Sequence, residues 1–321
     1  MPHERIGSSF AHYRIDAEIG APVGSRKRQV ETELLSPIER AVEFYEAATD
    51  DYEHWSSGFN MHLGFYRRGV GFLDREKMLE QMNLEVARRL RLDHEQASML
   101  IDLGCGVGAI SRTMARKNPK AIIKGVTVAP TQVKTANRLN RLVGVADRIE
   151  IVESDYRALP FEERSADGVW AVESACYASG TAKEDLIREM ARVLKSGGRF
   201  AIADCFLKKP ATELRFPVDH CYSSICKSWA LSEMPVLYRF VAALEDQGFR
   251  DVIIEDISWR VAPSLVHAPP AVLGFVLKKL CSGEPLKPHS LANLKASLLA
   301  PLLGLHRSKF SYCLISGTLV V

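Results

Sequence analysis

The chain has 321 residues, of which 47% are hydrophobic and 25% are charged, with a formal net charge of +3. This balance is that of an ordinary globular protein, and so small a charge gives no reason to expect a nucleic-acid partner. The seven cysteines include no C-x-x-C pair, so we expect reduced thiols and a cytoplasmic protein. We expect no transmembrane segment, because no run reaches the roughly 18 apolar residues that span a bilayer. We also expect no signal peptide, because the first residues lack an apolar core.

The first part of the chain is predicted to be flexible and then helical. Residues 1–33 show no sustained periodicity, and we predict a flexible segment there. We expect residues 34–93 to form a helical lid or cap. Within it, a Ser-Pro step begins one helix, and an amphipathic helix covers about 74–92. An aromatic-rich passage, Tyr52 to Tyr66, lies between them.

Residues 94–321 alternate between strand-like and helix-like patterns, which is typical of an α/β protein with a parallel sheet. The strands are predicted, in chain order, at 98–103, 121–128, 149–153, 167–173, 199–206, 251–257 and 309–321. Helices are expected at 107–117, 130–143, 183–195 and 235–248. Insertions rich in large apolar residues follow strand five (209–234) and strand six (262–307). Ligands of open α/β sheets bind at the carboxyl ends of the strands, so the first insertion is well placed to cover a substrate.

The most informative stretch is 99–111, which reads Met-Leu-Ile-Asp-Leu-Gly-Cys-Gly-Val-Gly-Ala-Ile-Ser. It predicts a buried strand, a glycine-rich turn and a helix. Gly104 and Gly106 lack the Cβ atoms that would block a nucleotide-like ligand. Asp102 ends the strand as a hydrogen-bond acceptor. We therefore expect a cofactor site at this turn.

A nicotinamide cofactor is the first alternative, because these glycines followed by Ala109 also fit the dinucleotide pattern G-x-G-x-x-G/A. A nicotinamide enzyme normally carries an acidic residue about 20 residues further on, which holds the ribose. No Asp or Glu occurs between Asp102 and Asp147, which removes the main support for NAD. NADP is slightly better supported, since Lys124 and Lys134 lie nearby.

The string D-L-G-C-G-x-G at 102–108 resembles the first motif of the class I S-adenosylmethionine-dependent methyltransferases. The resemblance implies a Rossmann-like seven-stranded sheet with helices on both faces, a helical N-terminal lid and the two insertions. It implies S-adenosylmethionine as cofactor, with Asp102 orienting its methionine end. It further implies that the turn of Gly104, Cys105 and Gly106 admits its adenosine.

Residues 125–133, Gly-Val-Thr-Val-Ala-Pro-Thr-Gln-Val, are similar to a string of a narrower group. This group comprises carbon methyltransferases of sterols, prenyl chains and tocopherols, together with cyclopropane fatty-acid synthases. The resemblance implies that Thr127 and Gln132 approach the cofactor in place of the missing carboxylate. Asp155 ends strand three where family members bind the adenine amino group, and Tyr156 would pack beside the ring. A turn residue is the structural alternative for Asp155.

Two more strings resemble the same group, 59–66 before the core and 172–178 after strand four. The first implies a segment, including His62 and Tyr66, that folds over the sulfonium. An aromatic face attracts such a cation by roughly 0.5–2 kcal/mol. The second implies that Glu173 faces both the cofactor's methyl group and the substrate, with Tyr177 close by. The structural alternatives are an aromatic core, a structural histidine and a solvent-exposed carboxylate.

Methylation of an alkene carbon leaves a carbocation, which needs aromatic walls and one carboxylate. We therefore expect a carbon methyltransferase of a small hydrophobic, isoprenoid-type substrate, with Glu173 as stabiliser or base. No metal site is predicted, and Mg²⁺ is expected only if the acceptor is a diphosphate. An O-methyltransferase of a phenol or quinone and a non-catalytic binding protein are the alternatives, and a homo-oligomer stays open. The candidate walls are Trp55, Phe59, Tyr66, Trp170, Tyr177, Tyr222 and Trp229.

Overall fold

Seven strands form one mixed sheet in the computed structural model, which describes residues 35–93, 95–283 and 285–321. The predicted flexible segment 1–33 lies outside the described residues. The strands are β1 (Ser98–Leu103), β2 (Ala121–Thr127), β3 (Ile149–Glu153), β4 (Ala166–Val172), β5 (Leu194–Leu207), β6 (Phe249–Asp256) and β7 (Phe310–Leu319). Their order across the sheet is β3-β2-β1-β4-β5-β7-β6. Among these seven strands, β7 runs antiparallel to the other six. The strands before β4 are added on one side of β1 and β4 is added on the other, and open α/β sheets bind ligands at such a switch point.

Ten α-helices lie in the part of the chain that the structure describes. They are α1 (Pro37–Ala48), α2 (Arg75–Leu90), α3 (Ala109–Lys117), α4 (Pro130–Leu142), α5 (Glu184–Val193), α6 (Val218–Ser228), α7 (Leu237–Asp246), α8 (Ser258–Val266), α9 (Ala268–Ser282) and α10 (Pro288–Leu305). Short 3₁₀ helices occupy Thr49–His54, Ala175–Tyr177 and Ala211–Glu213. The predicted insertion after strand five contains α6, and the one after strand six contains most of α8 with α9 and α10.

Helices cover both faces of the sheet because neighbouring residues of a strand point to opposite sides. In β1, Leu100 packs in one core with Met82 of α2, whereas Ile101 packs in the other core with Leu186 of α5. The predicted seven-stranded, Rossmann-like α/β fold is confirmed.

Two predicted features differ from the structure. β5 begins at Leu194 rather than 199, because Leu194 already pairs with Ala166 of β4; the register then shifts, and regular pairing resumes at Arg199 opposite Gly168. Helix α2, expected to belong to the lid, lies on the sheet instead. Its apolar residues, among them Met82 and Val86, are fully buried and pack in one core with strand residues such as Leu100. The cap over the sheet edge is therefore shorter than predicted.

One helical stretch, Ser258–Ser282, is long and apolar enough to cross a membrane by length and composition, although no such segment was predicted. It is made of two helices, since the chain breaks between α8 and α9 at His267. Only 22% of its apolar window is buried, so most of this surface faces outward.

Candidate active site

A cavity of about 910 Å³, counting the open space at its mouth, lies at the carboxyl ends of four neighbouring strands. Asp102 of β1, Thr127 of β2, Asp155 after β3 and Glu173 after β4 all line it. Eleven of the twelve predicted site residues line this one cavity: His62, Asp102, Gly104, Cys105, Gly106, Thr127, Gln132, Asp155, Tyr156, Glu173 and Tyr177.

The glycine turn is required by the protein's own packing. Gly104 and Gly106 have positive φ angles of 78° and 53°, which favour glycine. A Cβ on Gly104 would lie 2.5 Å from Cβ of Ser174, and one on Gly106 would lie 3.0 Å from Sδ of Met61. From the sequence, we expect these glycines to leave room for a nucleotide-like ligand. The structure shows that side chains from two other segments already occupy the space beside them.

Asp102 is buried beside the turn, with 2% of its surface exposed. Its Oδ2 accepts a hydrogen bond of 2.7 Å from Oγ of Ser111 on α3. Burial raises the pKa of Asp102 from 3.8 to about 7, and the Ser111 bond opposes this rise. The carboxyl group is therefore poised to ionise near neutral pH when a cationic ligand group approaches.

Two further pairs of polar side chains line the cavity, one near the end of β2 and one after β3. The Thr127 hydroxyl donates to Oε1 of Gln132, and both side chains are buried. The carboxylate of Asp155 is held by Arg157, whose Nη2 lies 2.6 Å from Oδ2. The backbone N–H of Arg157 also donates to Oδ1 of Asp155 (2.9 Å), which is the bond of a turn residue, so part of the hydrogen-bonding capacity of Asp155 is already used.

Glu173 connects three separate parts of the chain. The backbone N–H of Leu63 donates to its Oε1 over 2.7 Å, and the hydroxyl of Tyr312 donates to the same oxygen over 2.8 Å. Its carboxyl group is enclosed by the protein, and this burial raises its pKa from 4.5 to about 7. The two hydrogen bonds oppose the rise and so favour the ionised form. The structure therefore gives Glu173 a pKa suited to exchanging a proton near pH 7.

Tyr177 and His62, which are predicted to lie on the substrate side, both line the cavity. The Tyr177 hydroxyl accepts a hydrogen bond from Tyr45 (3.0 Å) and donates to the carbonyl of Trp229 (2.9 Å). Nδ1 of His62 lies 2.9 Å from the carbonyl oxygen of Leu63, so Nδ1 carries the ring hydrogen. Burial lowers the pKa of His62, which keeps the imidazole neutral at pH 7.

Tyr66 is the predicted site residue that does not line the cavity. Its backbone N–H donates to the carbonyl of Arg260 (2.7 Å), and its ring meets Phe72 edge-on at 6.4 Å between centroids. These contacts turn the chain toward α8 after His62. The structure therefore does not place Tyr66 at the cavity wall, and its contact with the cofactor stays a prediction.

Most of the predicted aromatic walls also lie elsewhere. Among the seven candidates, only Phe59 and Tyr177 line the cavity. Trp170, for example, is fully buried in the core with α2. Two residues that sequence reasoning missed are Tyr45, on the cavity wall, and Tyr312, which contacts Glu173. The spacing of apolar residues in α1 is the signal that could have identified Tyr45. No comparable signal in the sequence points to Tyr312.

The arrangement fits S-adenosylmethionine better than a nicotinamide cofactor. The cavity offers a buried carboxyl group and the Thr127–Gln132 pair at the β2 end. No acidic side chain from the β2 end is present to hold a ribose in the nicotinamide manner. This fold and this site define a class I methyltransferase.

The comparisons with known proteins agree. Residues 101–202 match the methyltransferase domain family, and the chain is an S-adenosylmethionine-dependent methyltransferase. It is 29% identical to the methyltransferase GfsG of Streptomyces halstedii over 214 residues, which cover 67% of this chain and 73% of that protein. It is 32% identical to the botryococcene C-methyltransferase of Botryococcus braunii, over 51% of this chain but only 41% of that protein. Tocopherol O-methyltransferase of Arabidopsis thaliana is 29% identical, over 82% of this chain and 76% of that one.

Two solved structures show the same fold. The geranyl diphosphate C-methyltransferase of Streptomyces coelicolor A3(2), in complex with Mg²⁺, geranyl diphosphate and S-adenosyl-L-homocysteine, has a TM-score of 0.67 at 16% identity, covering 89% of this chain and 99% of that one. The [4+2]-cyclase SpnF has a TM-score of 0.67 at 21% identity, covering 87% and 96%. The fold alone therefore does not define the acceptor.

Proposed function

We propose that this methyltransferase acts on carbon, and that its acceptor is a neutral alkene of the isoprenoid type. The observation that carries the proposal is Glu173, a carboxyl group at the cavity wall with a pKa of about 7. Both of the hydrogen bonds that the described residues donate to it end on Oε1. Oε2 is left to face a developing positive charge or to accept a proton.

When bound, S-adenosylmethionine supplies an electrophilic methyl group. The π electrons of an alkene that takes this group form the new carbon–carbon bond as the methyl–sulfur bond breaks and its electron pair stays on sulfur, so that S-adenosylhomocysteine is released. The neighbouring carbon of the alkene becomes a carbocation. The negative charge of Glu173 stabilises that cation. Loss of a proton from an adjacent carbon to Oε2 then restores a double bond. Phe59 and Tyr177 supply the aromatic faces that keep water away.

A neutral acceptor fits this cavity better than a diphosphate. Arg157 is the only Lys or Arg that lines it in the part of the chain that the structure describes, and Asp155 already pairs with Arg157. The described residues also contain no group of three or more His, Cys, Asp or Glu that could hold a metal ion. Relatives named for neutral acceptors, the botryococcene and squalene methyltransferases, are in line with this choice.

An oxygen acceptor is the second candidate, because the tocopherol O-methyltransferase aligns with more of this chain than the carbon methyltransferases described above do. His62 also offers a neutral imidazole in the cavity wall, which can act as a general base for a phenol.

Mass spectrometry with methyl-labelled cofactor distinguishes the candidates. The enzyme is incubated with neutral triterpenes, sterols, prenyl diphosphates and phenols, and products are fragmented to locate the label. We expect the label on a carbon of a neutral isoprenoid. A label on oxygen supports the second candidate, and one on a prenyl diphosphate overturns the neutral-acceptor proposal. Binding of S-adenosylhomocysteine without turnover of any compound favours a non-catalytic role.

A further inference from the structure

Helices α9 and α10 expose an unusual amount of apolar surface. Of the twenty large hydrophobic residues that are exposed in the described chain, nine lie between positions 257 and 309. On α9 they are Leu273, Leu277 and Leu280, which share one helix face, and Leu280 is 67% exposed. On α10 a second stripe has the same character: Leu291, Leu298, Leu302 and Leu305. Soluble monomers seldom expose so many apolar side chains together.

The same region accounts for the net positive charge of the protein. Residues 257–309 contain seven Lys and Arg residues and a single acidic residue, Glu284. The rest of the chain contains 35 basic and 38 acidic residues, so it is slightly negative. The lysines Lys278, Lys287 and Lys295 are exposed beside the leucine stripes. Exposed leucines bordered by lysines are the pattern of helices that lie in a membrane interface.

Contacts connect this surface to the cavity. Asn293 of α10 accepts a hydrogen bond from the indole of Trp229 (3.0 Å), and the carbonyl of Trp229 accepts one from the cavity residue Tyr177 (2.9 Å). Ser290 of α10 donates to Asp51 in the cap (2.7 Å). A surface bound to α10 would thus be coupled to the substrate side of the site.

We propose that α9 and α10 form a docking face for the surface of an anionic lipid bilayer. The positive charge complements acidic headgroups, and the two leucine stripes enter the boundary between headgroups and acyl chains. The helices lie on the bilayer rather than cross it, because α8 and α9 are separate helices and Lys278 and Lys279 follow within the same apolar stretch. A methyl acceptor dissolved in that bilayer would be presented next to the cap.

Flotation of the whole protein with lipid vesicles tests the proposal. One set is pure phosphatidylcholine, and the other contains roughly 30% phosphatidylserine. We expect flotation with the anionic vesicles, at least about tenfold weaker binding to the neutral ones, and loss of most binding in about 0.5 M salt. Equal binding to both vesicle types overturns the anionic preference, and no binding to either overturns the docking face.

Substitutions within the stripes locate the face. The double variant Leu277→Ser with Leu280→Ser removes exposed apolar area without touching the core, and Leu142→Ser on α4, 71% exposed, is the matched control. We expect the double variant to bind at least about tenfold more weakly and the control to bind like the wild type. Unchanged binding of the double variant overturns the proposal. The proposal is also overturned if the wild-type protein does not bind vesicles and instead forms a dimer through this face, which sedimentation detects. The assay contains no methyl acceptor, so its outcome is independent of the proposed function.

Discussion

The hydroxyl of Tyr312, on the antiparallel strand β7, lies 2.8 Å from Oε1 of Glu173, at the end of β4. This hydrogen bond stabilises the ionised carboxylate against the burial that raises its pKa. Tyr312 is itself buried, so the pair is shielded from bulk water. Tyr312 is therefore a positioning residue that sets how readily Glu173 holds a proton.

Replacement of Tyr312 by Phe keeps the packing and removes the donor. We expect the pKa of Glu173 to rise above about 7, so that the acidic limb of the rate–pH profile moves to higher pH. Turnover measured from pH 6 to about 9 checks this, with most activity regained at the alkaline end. An unshifted profile with a uniform loss of rate would indicate a packing role only.

Replacement of Glu173 by Gln tests the charge itself, since size and hydrogen-bonding capacity are kept. Loss of one preorganised electrostatic partner lowers turnover by about 10²–10³, and we expect a fall of that order. Affinity for S-adenosylhomocysteine, measured by calorimetry, should change by less than about tenfold, because the cofactor side keeps its other contacts. Near-normal turnover would mean that another group, such as His62, acts as the base.

Variants of Asp102 and Ser111 distinguish a role in cofactor binding from a role in positioning helix α3. Asp102→Asn removes a charge that we expect to face the cationic methionine end of the cofactor, and it should weaken S-adenosylhomocysteine binding at least tenfold, by roughly 1.5–3 kcal/mol. Ser111→Ala removes only the 2.7 Å bond to that carboxyl group and should cost about fivefold or less. Equal losses in the two variants would show that the bond to α3 matters more than the charge.

The segment Tyr52 to Tyr66 is predicted to close over the bound cofactor. Phe59, Met61 and His62 already line the cavity from this side. Hydrogen exchange should slow in this segment when S-adenosylhomocysteine is added, while α7, which does not line the cavity, stays unchanged. Equal exchange with and without ligand would make the segment part of the rigid core.

Glu173 also predicts a pH dependence of stability. Its folded-state pKa is raised from 4.5 to about 7, so the stability that its protonated form contributes is complete below pH 4.5 and is lost as the pH rises to about 7. Relative to Glu173→Gln, the wild type should therefore lose unfolding free energy over this window, on the order of 3 kcal/mol. Urea unfolding of both proteins at several pH values measures this difference, and parallel curves would contradict the raised pKa.

The sheet and the strand-end residues of the site could be predicted because both follow from local patterns. Alternating apolar segments place Asp102 and Asp155 at strand ends, and the carboxyl ends of parallel strands meet at one edge. The orientation of Tyr66 could not be predicted in this way. Its neighbour Gly64 donates to Ser264 and Tyr66 donates to Arg260, both some 200 residues further along the chain. Tyr312 was missed for the same reason, since its contact with Glu173 depends on how a distant strand pairs.

Gly104, in the turn after β1, closely approaches Ser174, which follows β4. A side chain at position 104 would collide with Ser174 at 2.5 Å, and a larger residue at position 174 would press against the turn of Gly104. Ser174 also anchors the turn through its hydroxyl, which donates to the carbonyl of Leu103. Variant libraries that aim to change the acceptor must therefore keep position 174 small. The range of acceptors can therefore be changed by substitutions in the cap and in the insertions, but not by substitutions at positions 104 and 174.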